Sequence, residues 1–169
     1  LRPQDMFVRI NDRIVTGSME MGRYIKYLYQ KPFLPPKMQL NEAFDFFEAD
    51  FDAFIRDFPQ FGQYRETRIN ELSGGEVRIA EIWLCLCSKS LFCILDEPFS
   101  YLAPVAIEVV QRLIQREKSN KGIIISDHNY EPLLEIADEV LLLSDGYMHI
   151  AKERSDLVRY GYCRGDMFF

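Results

Sequence analysis

The chain has no surplus of positive charge: 20 Lys and Arg stand against 26 Asp and Glu over 169 residues, a net charge of −6. That balance argues against a protein whose main surface coats nucleic acid, because phosphate backbones select a basic face. Long hydrophobic runs are also missing. Ile82 to Cys87 and Leu91 to Leu95 are the densest, both far short of a membrane span, so direct membrane insertion is not expected. No secretory leader pattern is visible. Cysteine is sparse. Cys85, Cys87, Cys93 and Cys163 include one C-x-C and no second cluster that would complete a zinc tetrahedron. They read as reduced thiols of an intracellular chain. Internal repeats and low-complexity tracts are absent, and histidine occurs only at His128 and His149.

What is present suffices for a buried core, with hydrophobic residues at 48%. The length suits one compact domain, or one core with an inserted subdomain. Asp5 to Val15 alternates around Asn11-Asp12 as a short hairpin does. Tyr24 to Tyr29 reads as a strand ending at Gln30, before the prolines 32, 35 and 36. Leu40 to Phe58 predicts one amphipathic helix: Leu40, Phe44, Phe47, Phe51, Phe54, Ile55 and Phe58 recur at steps of three and four, and Pro59 ends the pattern. This phenylalanine stripe is either core or, in part, a docking groove for another protein. Glu76 to Ser88 is a helix that opens at Gly74-Gly75. Phe92 to Leu95 is a wholly apolar strand of the kind buried in a parallel sheet. Then follow a helix over Val105 to Lys118 behind Pro104, a strand Gly122 to Ser126, a short helix Pro132 to Ala137, and strands Val140 to Leu143 and Tyr147 to Ile150 around Asp145-Gly146. Alternation of strand and helix from residue 89 onward predicts an α/β core with a mostly parallel sheet, formed by 1–30 and 89–169, with 31–88 inserted as a helical subdomain.

Three motifs and one further residue, Gln30, carry candidate chemistry. Asp96 and Glu97 end an apolar strand, the edge at which open α/β sheets bind ligands. Neighbours on an extended chain point opposite ways, so the two carboxylates can serve different purposes. Asp96 suits a magnesium ion held partly through water, and Glu97 suits orienting and deprotonating a water that attacks a phosphate. A solvated loop is the alternative reading of the same residues. Ser73, Gly74 and Gly75 lead into a helix N-terminus, where glycines let the backbone approach phosphate oxygens and free N–H groups favour negative charge. Ser73 with Glu76 also fits an ordinary capping box, and both readings can hold. His128 follows the strand Ile123 to Ser126, the same kind of position as Asp96 and Glu97. Gln30 ends a strand too, where its amide could sense a water or the metal.

Taken in order, Gln30, Leu72-Ser73-Gly74-Gly75-Glu76, Cys93-Ile94-Leu95-Asp96-Glu97-Pro98 and Ser126-Asp127-His128 resemble the Q-loop, signature, Walker B and switch-histidine motifs of ATP-binding cassette (ABC) ATPases. The resemblance covers almost the whole chain. Asp127-His128-Asn129 and Glu97-Pro98-Phe99 are similar to the lipopolysaccharide-export and branched-chain amino-acid branches. The resemblance implies a P-loop NTPase-like (RecA-like) core, ATP and Mg2+ as cofactors, and a head-to-tail dimer with a second ABC ATPase subunit. It further implies that Asp96 and Gln30 attend the metal, that Glu97 and His128 are catalytic, and that Gln30, Ser73, Gly74, Gly75 and Glu76 serve nucleotide binding, with the signature turn addressing ATP on the opposite subunit. A transmembrane permease subunit would dock near Gln30–Leu40 and the Leu40–Phe58 helix, placing the protein at the cytoplasmic face of a membrane through that partner.

Two departures qualify this. Nothing reads G-x-x-x-x-G-K-[ST], the loop that cradles nucleotide phosphates. As written, the chain should not hold ATP in its own site, although it could offer its signature turn to an intact partner. The N-terminal part of the core is therefore expected to be missing by truncation, leaving Phe92 to Leu95 uncovered at a sheet edge. Ala103 stands where the family usually carries an aspartate that couples the two sites. A degenerate, non-catalytic interaction protein and a soluble non-transport ABC ATPase are the alternatives.

Overall fold

The computed structural model describes residues 8–15, 18–151 and 153–162. Two compact units are present, residues 1–129 and residues 130–169.

The first unit opens with a hairpin of β1 (Val8–Ile10) and β2 (Arg13–Val15), turned by Asn11 and Asp12 at φ 47° and 62°. Positive φ at both central residues is what a two-residue hairpin requires, and Asn and Asp tolerate it. The part of the expected hairpin before Val8 lies outside the described residues. A helix the sequence pattern did not signal, α1 (Ser18–Tyr24), runs directly into β3 (Ile25–Leu28).

The single helix expected over Leu40 to Phe58 is two helices, α2 (Leu40–Phe46) and α3 (Phe51–Asp57). Glu48 takes a left-handed conformation at φ 53°, and the Asp50 side chain accepts the Ala53 N–H at 3.0 Å. An N-cap inside an apolar-periodic stretch starts a new helix, and periodicity alone does not register it. The break lets the phenylalanines close around one point: Phe54 lies 4.8 Å from Phe44, 4.7 Å from Phe61 and 5.6 Å from Trp83, centroid to centroid. Phe44, Phe51, Phe54 and Phe58 are buried, so most of the stripe is core, while Phe46, beside it, is 74% exposed.

After a 3-10 turn at Pro59–Tyr64, helix α4 (Gly74–Leu86) packs against β3 and β4 (Phe92–Asp96). Helix α5 (Pro104–Glu117) leads to β5 (Gly122–Ser126). The sheet is parallel in the order β3-β4-β5, with Leu28 opposite Leu95 and Asp96 opposite Ser126. Phe92 to Leu95 is thus the central strand, not an edge; β5 is an edge, and its Ile124 is exposed. Asp57 ties three helices together. It accepts Trp83 Nε1–H of α4 at 2.8 Å and both terminal nitrogens of Arg116 in α5 at 3.0 and 3.2 Å.

The second unit holds α6 (Tyr130–Leu134), an antiparallel hairpin of β6 (Val140–Ser144) and β7 (Tyr147–Ala151), and α7 (Arg154–Arg159). The short helix begins two residues before the predicted Pro132, since proline is tolerated in a first turn. Asp145 and Gly146, at φ 51° and 80°, make the hairpin turn. His149 stacks on Tyr160 at 4.2 Å.

Cys85, Cys87 and Cys93 are free thiols. Burial pushes Cys87 and Cys93 up to about 12 and Cys85 higher still, so all three stay protonated near neutrality. Cys163 lies outside the described residues. Among the described residues no helix is long and apolar enough to cross a membrane.

Candidate functional site

Parallel pairing aligns the carboxyl ends of β3, β4 and β5, so residues just past those ends share one edge. Asp96 is clamped there: its Oδ1 accepts Ser126 Oγ–H at 2.7 Å and its Oδ2 accepts the Tyr27 hydroxyl at 3.3 Å. Burial and the Asp96 carboxylate both push the Tyr27 phenol above its usual value. Glu97 has φ 48°, a conformation that strains a non-glycine residue, and donates its N–H to the Ser126 carbonyl at 2.7 Å. Its Oε2 accepts Ser100 Oγ–H at 3.3 Å, and its Oε1 lies 3.7 Å from His128 Nδ1. The two adjacent carboxylates therefore keep separate partners.

His128 is 74% exposed and also lies 3.7 Å from Asp127 Oδ1. The Asp127 side chain is buried; it accepts the N–H of Phe99 at 3.0 Å and of Asn129 at 2.8 Å. One carboxylate thus joins the turn after Glu97 to the turn carrying His128. Gln30 sits two residues beyond β3 at the same edge, with its side chain exposed.

Ser73 caps α4. Its Oγ accepts the Glu76 N–H at 3.3 Å, and Glu76 Oε2 accepts the Ser73 N–H at 2.7 Å, a complete capping box. Partial burial raises the Glu76 carboxyl, but the Ser73 N–H and hydroxyl and the Tyr64 hydroxyl outweigh it and hold the group below its usual value. The two glycines differ. A Cβ on Gly75 would sit 3.0 Å from the Tyr101 carbonyl oxygen, whereas a Cβ on Gly74 would meet nothing within 4 Å. Gly75 answers a packing need, and Gly74 leaves the helix N-terminus open to solvent.

Two residues at the site carry no motif in the sequence. Arg78 and Glu81 are buried on α4, three apart and so on one face. Arg78 donates to the carbonyls of Tyr29 at 2.5 Å, Asp96 at 2.6 Å and Glu97 at 2.9 Å. Glu81 Oε1 accepts the N–H groups of Phe33 at 2.6 Å and Leu34 at 3.0 Å. Burial lowers the Arg78 guanidinium and raises the Glu81 carboxyl, and each is partly offset by the other's charge. The one signal that could have found them is the pair of charged residues inside the apolar run Val77 to Leu86.

The donor set fits magnesium carried by a phosphate ligand. Among the described residues no three His, Cys, Asp or Glu side chains form a metal cage. Asp96 offers carboxylate oxygen at a ligand edge, the arrangement magnesium uses when water and phosphate complete its shell.

Residues 3–100 match the family described as ABC transporter. The chain belongs to that family. This ABC chain is 36% identical over 95 residues to the lipopolysaccharide export system ATP-binding protein LptB of Acidithiobacillus ferridurans, a match covering 56% of this chain and 39% of LptB. It is 43% identical over 77 residues to the energy-coupling factor transporter ATP-binding protein EcfA2 of Mycoplasmoides gallisepticum, covering 45% of this chain and 24% of the relative. The chain thus spans about two fifths or less of these curated relatives. An ATP binding subunit of an ABC transporter superposes with TM-score 0.68 at 20% identity, covering 81% of this chain and 62% of that one. An archaeal ribosome recycling factor, in complex with a ribosomal stalk protein, gives TM-score 0.64 at 22% identity, covering 79% and 28%. These structures establish the P-loop NTPase-type α/β fold of the ABC chain.

Proposed function

We propose that this ABC chain belongs to an ATP-binding and hydrolysing subunit of a membrane transporter, working as a head-to-tail pair at the cytoplasmic face. The supporting observation is the placement of Glu97 Oε1 3.7 Å from His128 Nδ1, beside a clamped Asp96, at one sheet edge. Bound magnesium would neutralise phosphate charge and carry water. Asp96, already oriented by Ser126 and Tyr27, would hold it. Glu97 would take the proton of the attacking water, and exposed His128 would touch the terminal phosphate. Gln30 would report on that site to the segment that follows it. Ser73, Gly74 and Gly75 would face ATP on the opposite subunit through an open helix N-terminus. The sequence contains no G-x-x-x-x-G-K-[ST] loop, so hydrolysis is proposed for a whole protein that supplies one.

The permease would dock where Phe46 is exposed beside Phe47, with Phe33 5.7 Å from Phe47. These aromatics join α2 to the loop that follows Gln30, so a helix seated there would bear on both. In the whole protein, Glu97→Gln should keep ATP binding and stop turnover. Turnover at the wild-type rate removes Glu97 from the role of base.

One observation favours a second reading, a non-catalytic regulatory cassette. Ala103 caps α5 with no side-chain bond, at the position where the family usually has an aspartate. A wild-type protein that binds a permease yet never hydrolyses ATP would establish it.

A further inference from the structure

Helix α4 starts at the Ser73-Gly74-Gly75 turn and, within about two turns, reaches both the strand ends and the loop beyond Gln30. Tyr29, Asp96 and Glu97 present carbonyls at or past the ends of their strands, and the Arg78 guanidinium gathers all three. Its planar fork is suited to this, where a lysine ammonium is not. The loop Gln30 to Pro36 contains three prolines, which carry no N–H. Two of its donors, Phe33 N–H and Leu34 N–H, go to one oxygen of Glu81, which is fully buried. A buried carboxylate is costly unless it is hydrogen-bonded or charge-compensated; here the loop supplies two donors, and the Arg78 charge acts on it without a direct ion pair. Neither Arg78 Nε nor Glu81 Oε2 finds a hydrogen-bond partner among the described residues, so the five bonds named are the contacts the two side chains make.

We infer that Glu81 is a positioning residue: it fastens the loop after Gln30 to the signature helix, and with Arg78 it makes α4 a bracket between that loop, the Asp96-Glu97 edge and the Ser73-Gly74-Gly75 turn. The link to turnover rests on the function proposed above; the bracket itself does not.

The test is amide hydrogen exchange on the full chain without nucleotide. Glu81→Met, which keeps bulk and removes the acceptor, should speed exchange at Phe33 and Leu34 by about ten- to a hundredfold, the effect of leaving a buried donor unpaired. Exchange at Leu86 and Leu95 should stay unchanged, and Glu81→Gln, which retains a carbonyl acceptor, should restore most of the protection. Wild-type exchange at Phe33 and Leu34 in Glu81→Met overturns the proposal. Should Glu81→Met unfold, Glu81→Gln decides by NMR: the Phe33 and Leu34 amide protons should shift as the carboxyl acceptor is replaced by an amide, and no shift overturns it. In the whole protein, Glu81→Met should lower kcat with KM unchanged and Glu81→Gln should recover it; wild-type kcat in Glu81→Met removes the positioning role. A wild-type protein without turnover defeats the ATPase reading instead, and hydrogen exchange then decides by itself whether the bracket exists.

Discussion

Single residues at the signature turn separate folding from ligand contact. Gly75 has the Tyr101 carbonyl 3.0 Å from where a Cβ would lie, and backbone oxygen yields poorly. Gly74 has open space around it, and alanine is the better helix former by up to about 1 kcal/mol. Gly74→Ala should therefore leave the urea midpoint equal or higher while lowering ATP turnover of the proposed subunit pair, and Gly75→Ala should lower the midpoint. Unchanged turnover in Gly74→Ala would show that no phosphate approaches this turn. Glu76 adds a pH signature. Its folded carboxyl is held below the ordinary value of 4.5, so its contribution is complete above that pH and is lost as pH falls through the lower folded value. The stability difference between wild type and Glu76→Ala should hold from pH 7 to about 5 and shrink in more acid solution, measured by urea melts.

The elements show where local rules gave way. The spacing of phenylalanines from Leu40 onward is helical, yet Asp50 caps a second helix and Glu48 turns the chain before it. The consequence is a cluster centred on Phe54, which contacts Phe44, Phe51, Phe58, Phe61 and Trp83. Phe54→Ala should destabilise the chain by about 3–5 kcal/mol in denaturant titration, because the rings around it cannot collapse into the space. Beyond β4, α5 begins at Ala103 without a side-chain cap. Ala103→Asp should stabilise by about 1 kcal/mol, the usual value of an N-cap, as a rise in thermal midpoint.

For the whole molecule, the question is what meets the surface beside α2. Phe44, Phe51, Phe54 and Phe58 are spent on the core, and Phe46 is left out at 74% exposure. If the proposed permease docks here, Phe46→Asp should abolish co-purification with it and leave the melting transition where it was; an unchanged co-purification moves the proposed docking surface elsewhere. The ABC relatives are longer than the part matched here, so this experiment belongs on the whole protein.

The order Gln30, Ser73-Gly74-Gly75, Asp96-Glu97 and His128 was legible in the sequence because each motif is local: an apolar strand that stops at polar residues, or glycines that open a helix. The parallel strands β3, β4 and β5 were legible for the same reason, as short apolar runs separated by helical ones. Tertiary structure alone decided the rest. The break between α2 and α3, the central place of β4, and the burial of Arg78 and Glu81 all depend on partners distant in the chain. A pair of charged side chains inside an apolar helix reads as an exception in sequence. It becomes a bracket only when the fold brings three carbonyls and two N–H groups to the Arg78–Glu81 pair, from strands and a loop that lie 18 to 49 residues away.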